Sequence, residues 1–102
     1  MRQNFRTYNL ALSFYRRART LRLPTHLREQ LNRAASSVAL NLAEGAGRST
    51  RADQNRFFSI AFGSLRECQA ILDLAETTDT AAAKDADTLA AHIYRLIKSK
   101  GA

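Results

Sequence analysis

Residues that interrupt helices are scarce in this chain. It has one proline, Pro24, and four glycines, Gly45, Gly47, Gly63 and Gly101. With so few breakers, and no β-branched alternation of the kind a half-buried strand needs, long helices are expected. Cysteine is represented by Cys68 alone, which excludes an internal disulfide framework. No apolar run approaches the roughly 20 residues that span a bilayer. The polar start, Met1-Arg-Gln-Asn-Phe-Arg, has no apolar segment ahead of a cleavage site. These absences favour a cytoplasmic protein without membrane contact. Acids are also nearly missing from the first half. Residues 1–51 hold ten arginines, no lysine and two acids, a net charge of +8, whereas residues 52–102 hold six bases and seven acids, a net charge of −1.

What is present fits one domain, residues 1–102, with one core. Apolar residues recur at helical spacing in four segments. The first, from about Asn4 to Leu21, places Phe5, Tyr8, Ala11, Leu12, Phe14, Tyr15, Ala18 and Leu21 on one broad face and Arg2, Arg6, Arg16 and Arg17 on the other. Pro24 stops it. Thr25 is the expected cap of a second helix with a core stripe of Leu27, Leu31, Ala34, Ala35, Val38, Leu42 and Gly45. Gly45 and Gly47 offer left-handed positions to end it. Ser49 or Thr50 is the expected cap of a third helix, about 51–77, with Thr50-Arg-Ala-Asp53 resembling a capping box and Phe57, Phe58, Ala61, Leu65, Cys68, Leu72 and Ala75 inward. A turn at 77–80 precedes a fourth, about 81–98, carrying Ala86, Leu89, Ala90, Ile93, Leu96 and Ile97, its alanine-rich first half weakly anchored. Lys98 and Lys100 suit its C-terminus. The fold class is therefore all-α, an antiparallel up-down-up-down four-helix bundle. The apolar faces of the first and third helices look wider than one small bundle needs, which suggests another subunit.

Polar residues run beside the apolar stripes. Arg33, Asn41 and Glu44 line one side of the second helix, and Arg56, Gly63 and Glu67 one side of the third. Inside a helix, Gly63 costs roughly 1 kcal/mol against alanine. Close backbone approach of the two helices would compensate, with Asn41 and Glu67 beside the crossing and Arg33 and Arg56 as the available cations. Glu44 and Arg48 have the favourable order for an i,i+4 pair. This arrangement reads as a hydrogen-bonded seam that fixes register. The competing reading, a Glu44–Glu67 carboxylate site, has no histidine beside it. His26 and His92 lie far apart in sequence, each expected at a surface or interface.

Recognised chemistry is hard to find. Cys68 falls on the core stripe, so it reads as a buried hydrophobe. No Cys/His cluster has metal spacing, and the Glu-x-x-His pairs of a di-iron bundle are absent. Gly45-Ala-Gly47-Arg-Ser-Thr lacks the strand, spacing and lysine of a phosphate loop. The expectation is no enzyme, no metal and no cofactor.

Two stretches carry a resemblance: Arg33-Ala-x-Ser-x-Val-Ala-x-Asn41-Leu-Ala-Glu44-Gly45-x-Gly47-Arg48-Ser49 and Phe57-Phe-x-Ile-Ala-x-Gly63-Ser64-Leu65-x-Glu67. Over about residues 27–75 the chain resembles the bacterial four helix bundle protein family encoded in 23S ribosomal RNA intervening sequences. The accessory variability determinant of diversity-generating retroelements looks like a relative. The resemblance implies an antiparallel four-helix bundle, a ring-like homopentamer and no known enzymatic activity. The retroelement relatives are basic and associate with nucleic acid and a reverse transcriptase. This chain departs from the pattern in its short first connection and its more acidic third and fourth helices.

The resulting expectation is a non-enzymatic, homo-oligomeric scaffold that binds RNA or single-stranded DNA through Arg2, Arg6, Arg16 and Arg17, extended by Arg28 and Arg48. Arg33, Asn41, Glu44, Arg56 and Glu67 form its structural seam. No exposed aromatic platform is expected to add to the phosphate contacts. The alternative is an interaction adaptor whose basic face docks an acidic protein partner.

Overall fold

The computed structural model describes residues 5–99. Four helices make up the fold: α1 (Arg6–Ala18), α2 (Thr25–Ala46), α3 (Arg51–Leu74) and α4 (Thr80–Lys98). They form an elongated body of 41 × 22 × 21 Å. Each helix packs on its neighbours in the ring α1–α2–α3–α4, and α2 and α3 share the longest seam. Cross-links set the alternating direction. Arg17 near the end of α1 pairs with Asp85 near the start of α4. Arg51 at the start of α3 donates to carbonyls at the end of α4. No strand occurs among the described residues, and no helix is long and apolar enough to cross a membrane.

The expected stripes form the core, except that Phe57 lies outside it, between Arg48 and Arg56. Ala11, Phe14, Ala18, Leu31, Ala35, Val38, Leu42, Ala61, Leu65, Cys68, Ala86, Leu89 and Ile93 are fully buried. Phe5, Tyr8, Leu12 and Tyr15 pack partly buried against them. The broad face of α1 is therefore used within the chain. The apolar side chains left in solvent are on the other helices: Leu40, Ile60, Leu74 and Tyr94.

Helix ends depart from expectation in instructive ways. The expected start at Asn4, and Lys100, lie outside the described residues. α1 stops at Ala18, and the Thr20 amide and hydroxyl both turn back to the Arg17 carbonyl. Pro24, not Thr25, is the N-cap of α2. It is extended, and its carbonyl accepts from the amides of Leu27 and Arg28. Thr50 caps α3 as expected, its hydroxyl accepting from the Asp53 amide at 3.1 Å. Asp53 does not complete the reciprocal box. Its carboxylate turns outward to Arg56 at 3.0 Å, because a charged partner is within reach. α3 ends at Leu74, and the left-handed residue after it is Glu76, φ 51°, rather than a glycine. Asp79 caps α4, its carboxylate accepting from the Ala82 amide at 2.9 Å. The alanine-rich turn of α4 is thus anchored by a cap, by Arg17–Asp85 and by Gln69–Asp87.

The glycines reverse the expected roles. Neither Gly45 nor Gly47 is left-handed: Gly45 lies within α2, and Gly47 ends it at φ −88°. A Cβ on Gly45 would fall 2.7 Å from Cε1 of Phe58 and 3.1 Å from the Gln54 carbonyl. The close approach of α2 to α3 is at Gly45. Gly63 faces solvent, with nothing within 4 Å of a Cβ built there.

Candidate nucleic-acid interface

The polar face of α1 is built by spacing. Arg6, Arg16 and Arg17 fall on the side opposite Ala11, Phe14 and Ala18, and all three are exposed. Arg6 and Arg17 are eleven residues apart, roughly 16 Å along the axis at 1.5 Å per residue. Arg17 donates from Nε to Asp85 Oδ2 at 2.7 Å. Arg6 and Arg16 join no ion pair among the described residues. Arg28, exposed in the first turn of α2, is carried by the short first connection to the Arg16–Arg17 end of the bundle. Arg2 lies outside the described residues. The cationic surface continues onto α4. His92 sits among positive charges: burial lowers its pKa from 6.5 first, then the charges of Arg95 and Arg6.

Arg48 does not join this track. It lies at the opposite end of α2 from Arg28, in ion contact with Glu44 and with Asp53 at 3.9 Å. Its guanidinium covers one side of Phe57 with 4.7 Å to the ring centroid, and Arg56 stacks on the same ring at 4.4 Å. Two acids offset its charge, leaving less to attract a phosphate.

The α2/α3 seam is narrower in its polar content than expected. Ser37 and Ser64 share a hydrogen bond at 2.8 Å across it. Asn41 Nδ2 donates to the Ser37 carbonyl at 2.9 Å and to its hydroxyl at 3.1 Å. Arg33, Glu44, Arg56 and Glu67 are exposed instead. The cause is angular. Ser37 and Ser64 mark the sides on which the helices meet, and at about 100° per residue the charged residues are rotated from them by about 20–80°, away from the core.

This register also separates the two carboxylates. Ser37 faces Ser64, and Gly45 faces Phe58. In antiparallel helices Glu67 is then level with residues 34–36, about ten residues from Glu44, or roughly 15 Å. Glu44 and Glu67 do not make a paired acid site. Cys68 is fully buried, and burial, with a smaller contribution from the Glu67 charge, pushes its thiol up to about 12. It stays protonated and is no nucleophile. Among the described residues, no group of three His, Cys, Asp or Glu side chains is placed to hold a metal ion.

The family model described as 23S rRNA-intervening sequence protein matches residues 5–100. The chain belongs to that family. No curated protein and no solved structure matches it. In this chain, most of the family-like motif has a structural role: Gly45 admits Phe58, Ser64 ties the seam through Ser37, which Asn41 holds on α2, and Glu44 and Arg48 pair beside Phe57.

Three features escaped the sequence reading. Arg51 donates from Nη2 to the carbonyls of Leu96 and, at 3.0 Å, Ser99, closing the open end of α4. Asn55 assists at the Ile97 carbonyl, 3.4 Å. An exposed aromatic pair was also missed: Phe62 and Tyr94 meet across α3 and α4 with ring centroids 6.3 Å apart. The helical spacing of Ala91, Tyr94, Arg95 and Lys98 was the available signal for Tyr94.

Proposed function

We propose that this chain is a non-enzymatic, homo-oligomeric helical scaffold that contacts RNA through its arginine surface. The observation that carries the nucleic-acid part is the exposed row of Arg6, Arg16 and Arg17 on α1, extended by Arg28 and by the Arg6–His92–Arg95 group across the seam with α4. Such a row suits a phosphate backbone and carries no base code. Its partner is a polyanion, since it belongs to the half of the chain with net charge +8.

Self-association is supported by the outer side of α2 and α3. Leu40 is 68% exposed and Ile60 44%. Gly63, bare on the same outward side of α3, costs helix stability that no contact within the chain offsets. A second copy approaching closely there would supply the missing contact. A ring of five, as the family resemblance implies, repeats the arginine row around one assembly.

Light scattering after size exclusion should return several subunits, five by preference. A monomer at micromolar concentration ends the assembly reading. Filter binding should show affinity for RNA that falls steeply with salt, as counterion release requires. The double change Arg6→Glu and Arg16→Glu should weaken binding to unrelated RNA sequences alike while leaving the oligomer intact. Failure of the unchanged protein to retain RNA or single-stranded DNA at low salt removes the nucleic-acid reading. An acidic peptide that binds where RNA and heparin do not would establish the adaptor in its place.

A further inference from the structure

The face between α3 and α4 has a chemistry that neither the arginine row nor the α2/α3 seam accounts for. Small residues on α4 (Ala83, Ala86, Ala90 and Ala91) leave an open groove against α3, in two sections of about 340 and 290 Å³. The link from Gln69 Nε2 to Asp87 Oδ1, 2.9 Å, lies where the two sections adjoin. The second section ends on the aromatic pair. Tyr94 is 51% exposed, and Phe62 lies half-buried beside it at an interplanar angle of 50°. Each ring carries a cation: Arg66 over Phe62 at 4.9 Å and Lys98 over Tyr94 at 5.5 Å.

From this juxtaposition we propose that the groove is a stacking site for the bases of single-stranded nucleic acid, with Tyr94 and Phe62 as the platform and Lys98 and Arg66 as phosphate contacts. It rests on the nucleic-acid reading above and names the strand state that reading leaves open. An aromatic face next to mobile cations is the pairing that sequence-tolerant single-strand binding uses: rings take the bases and cations follow the backbone. A duplex, its bases already stacked, offers nothing to such a platform. A second copy of this chain fits less well. It would take Lys98 and Arg66 out of water, which is costly unless each of them meets an acid. Phosphates give Lys98 a partner and add a charged one to Arg66, which already donates to Gln69 Oε1 at 2.8 Å, while Tyr94 keeps its stacking surface. Asp87 sets the direction: its charge repels phosphate, so the backbone follows the Lys98 end of the groove and the bases point inward. Arg95, on the same outer side of α4 as Tyr94 and Lys98, continues the cationic path toward His92 and Arg6.

The test uses the full chain, which contains no tryptophan. Tyr94→Trp installs a single reporter at the platform. Titration with short oligouridine at low salt should quench its emission saturably, and a blunt RNA duplex should not. Tyr94→Ala should weaken oligouridine binding by about 5- to 150-fold, the range for loss of one base–aromatic stack. It should leave duplex binding and helical circular dichroism unchanged, and Tyr94→Phe should restore wild-type affinity. If the unchanged protein binds oligouridine but the indole emission of the Tyr94→Trp variant does not respond and Tyr94→Ala binds like wild type, the stacking site is overturned and the arginine-row reading stands. If neither single strand nor duplex binds at low salt, both are overturned. If Tyr94→Ala dissociates the oligomer without changing affinity per chain, the groove is a contact between copies and the proposal is wrong.

Discussion

The seams on opposite sides of the bundle are held by different forces. Between α2 and α3 the contact is close and uncharged: Gly45 admits the Phe58 ring, and Ser37, itself bonded by Asn41 on α2, pairs with Ser64 across the join. Between α1 and α4 the contact is charged, with Arg17 on Asp85 at one end and Arg6, His92 and Arg95 at the other. A tight neutral seam fixes register, because a packed glycine and paired hydroxyls tolerate little displacement. An exposed charged seam contributes little stability, since such pairs are screened by water and salt. The fold therefore leaves the arginines of α1 exposed, while the α2/α3 side fixes the register.

That contrast can be broken most sharply at Gly45. Gly45→Ala gains about 1 kcal/mol of helix propensity but forces a methyl into Phe58 and the Gln54 carbonyl, with an overpacking cost of about 1–3 kcal/mol. A net loss of about 0–2 kcal/mol in chemical denaturation is expected from these two opposing terms. An increase in stability would mean that the seam is looser than its geometry. Gly63→Ala is the counterpart on the outer side of the same pair. With nothing within 4 Å, it should stabilise the dilute protomer by about 0.8–1.0 kcal/mol. If a second copy approaches at Gly63, the same change should weaken self-association, which light scattering across a dilution series would read.

Smaller effects sharpen the comparison further. Glu67 is exposed and lies outside the α2/α3 hydrogen bonds, so Glu67→Ala should change stability by less than about 0.5 kcal/mol. A larger loss would return Glu67 to a structural or binding role. The smallest effect belongs to the charged seam. Because the His92 pKa is lowered from 6.5 on folding, the folded chain binds fewer protons than the unfolded chain just below that pH. Stability should decline slightly as pH falls through 6.5 and level off below the folded value. His92→Gln should remove that slope, seen by comparing denaturation at about pH 7.5 and below about pH 6, on either side of the ordinary histidine range.

The four helices were legible because their signals are local. Apolar spacing placed Phe14, Leu31, Leu65 and Ile93 inside, the lone proline separated α1 from α2, and Thr50 announced α3. The charge asymmetry and the arginine row of α1 were equally readable, since they depend on composition and on the period of one helix. The seam was only partly legible. Asn41 lies beside the crossing, bonded to Ser37, but Arg33, Glu44, Arg56 and Glu67 sit a fraction of a turn too far out. Periodicity gives a residue's angle on its own helix and does not give the angle at which two helices meet.

What the sequence determined by itself is therefore the number, type and direction of the helices, the family-like motif and the sign of the surface. Tertiary structure decided what the motif residues do. It made Gly45 rather than Gly63 the point of close approach, gave Arg51 the end of α4, withdrew Arg48 from the phosphate row and brought Phe62 and Tyr94 together. Each of these depends on pairs distant in the chain, whose meeting is fixed by helix rotation and register. Those quantities follow from packing the whole core at once, so no single segment contains them.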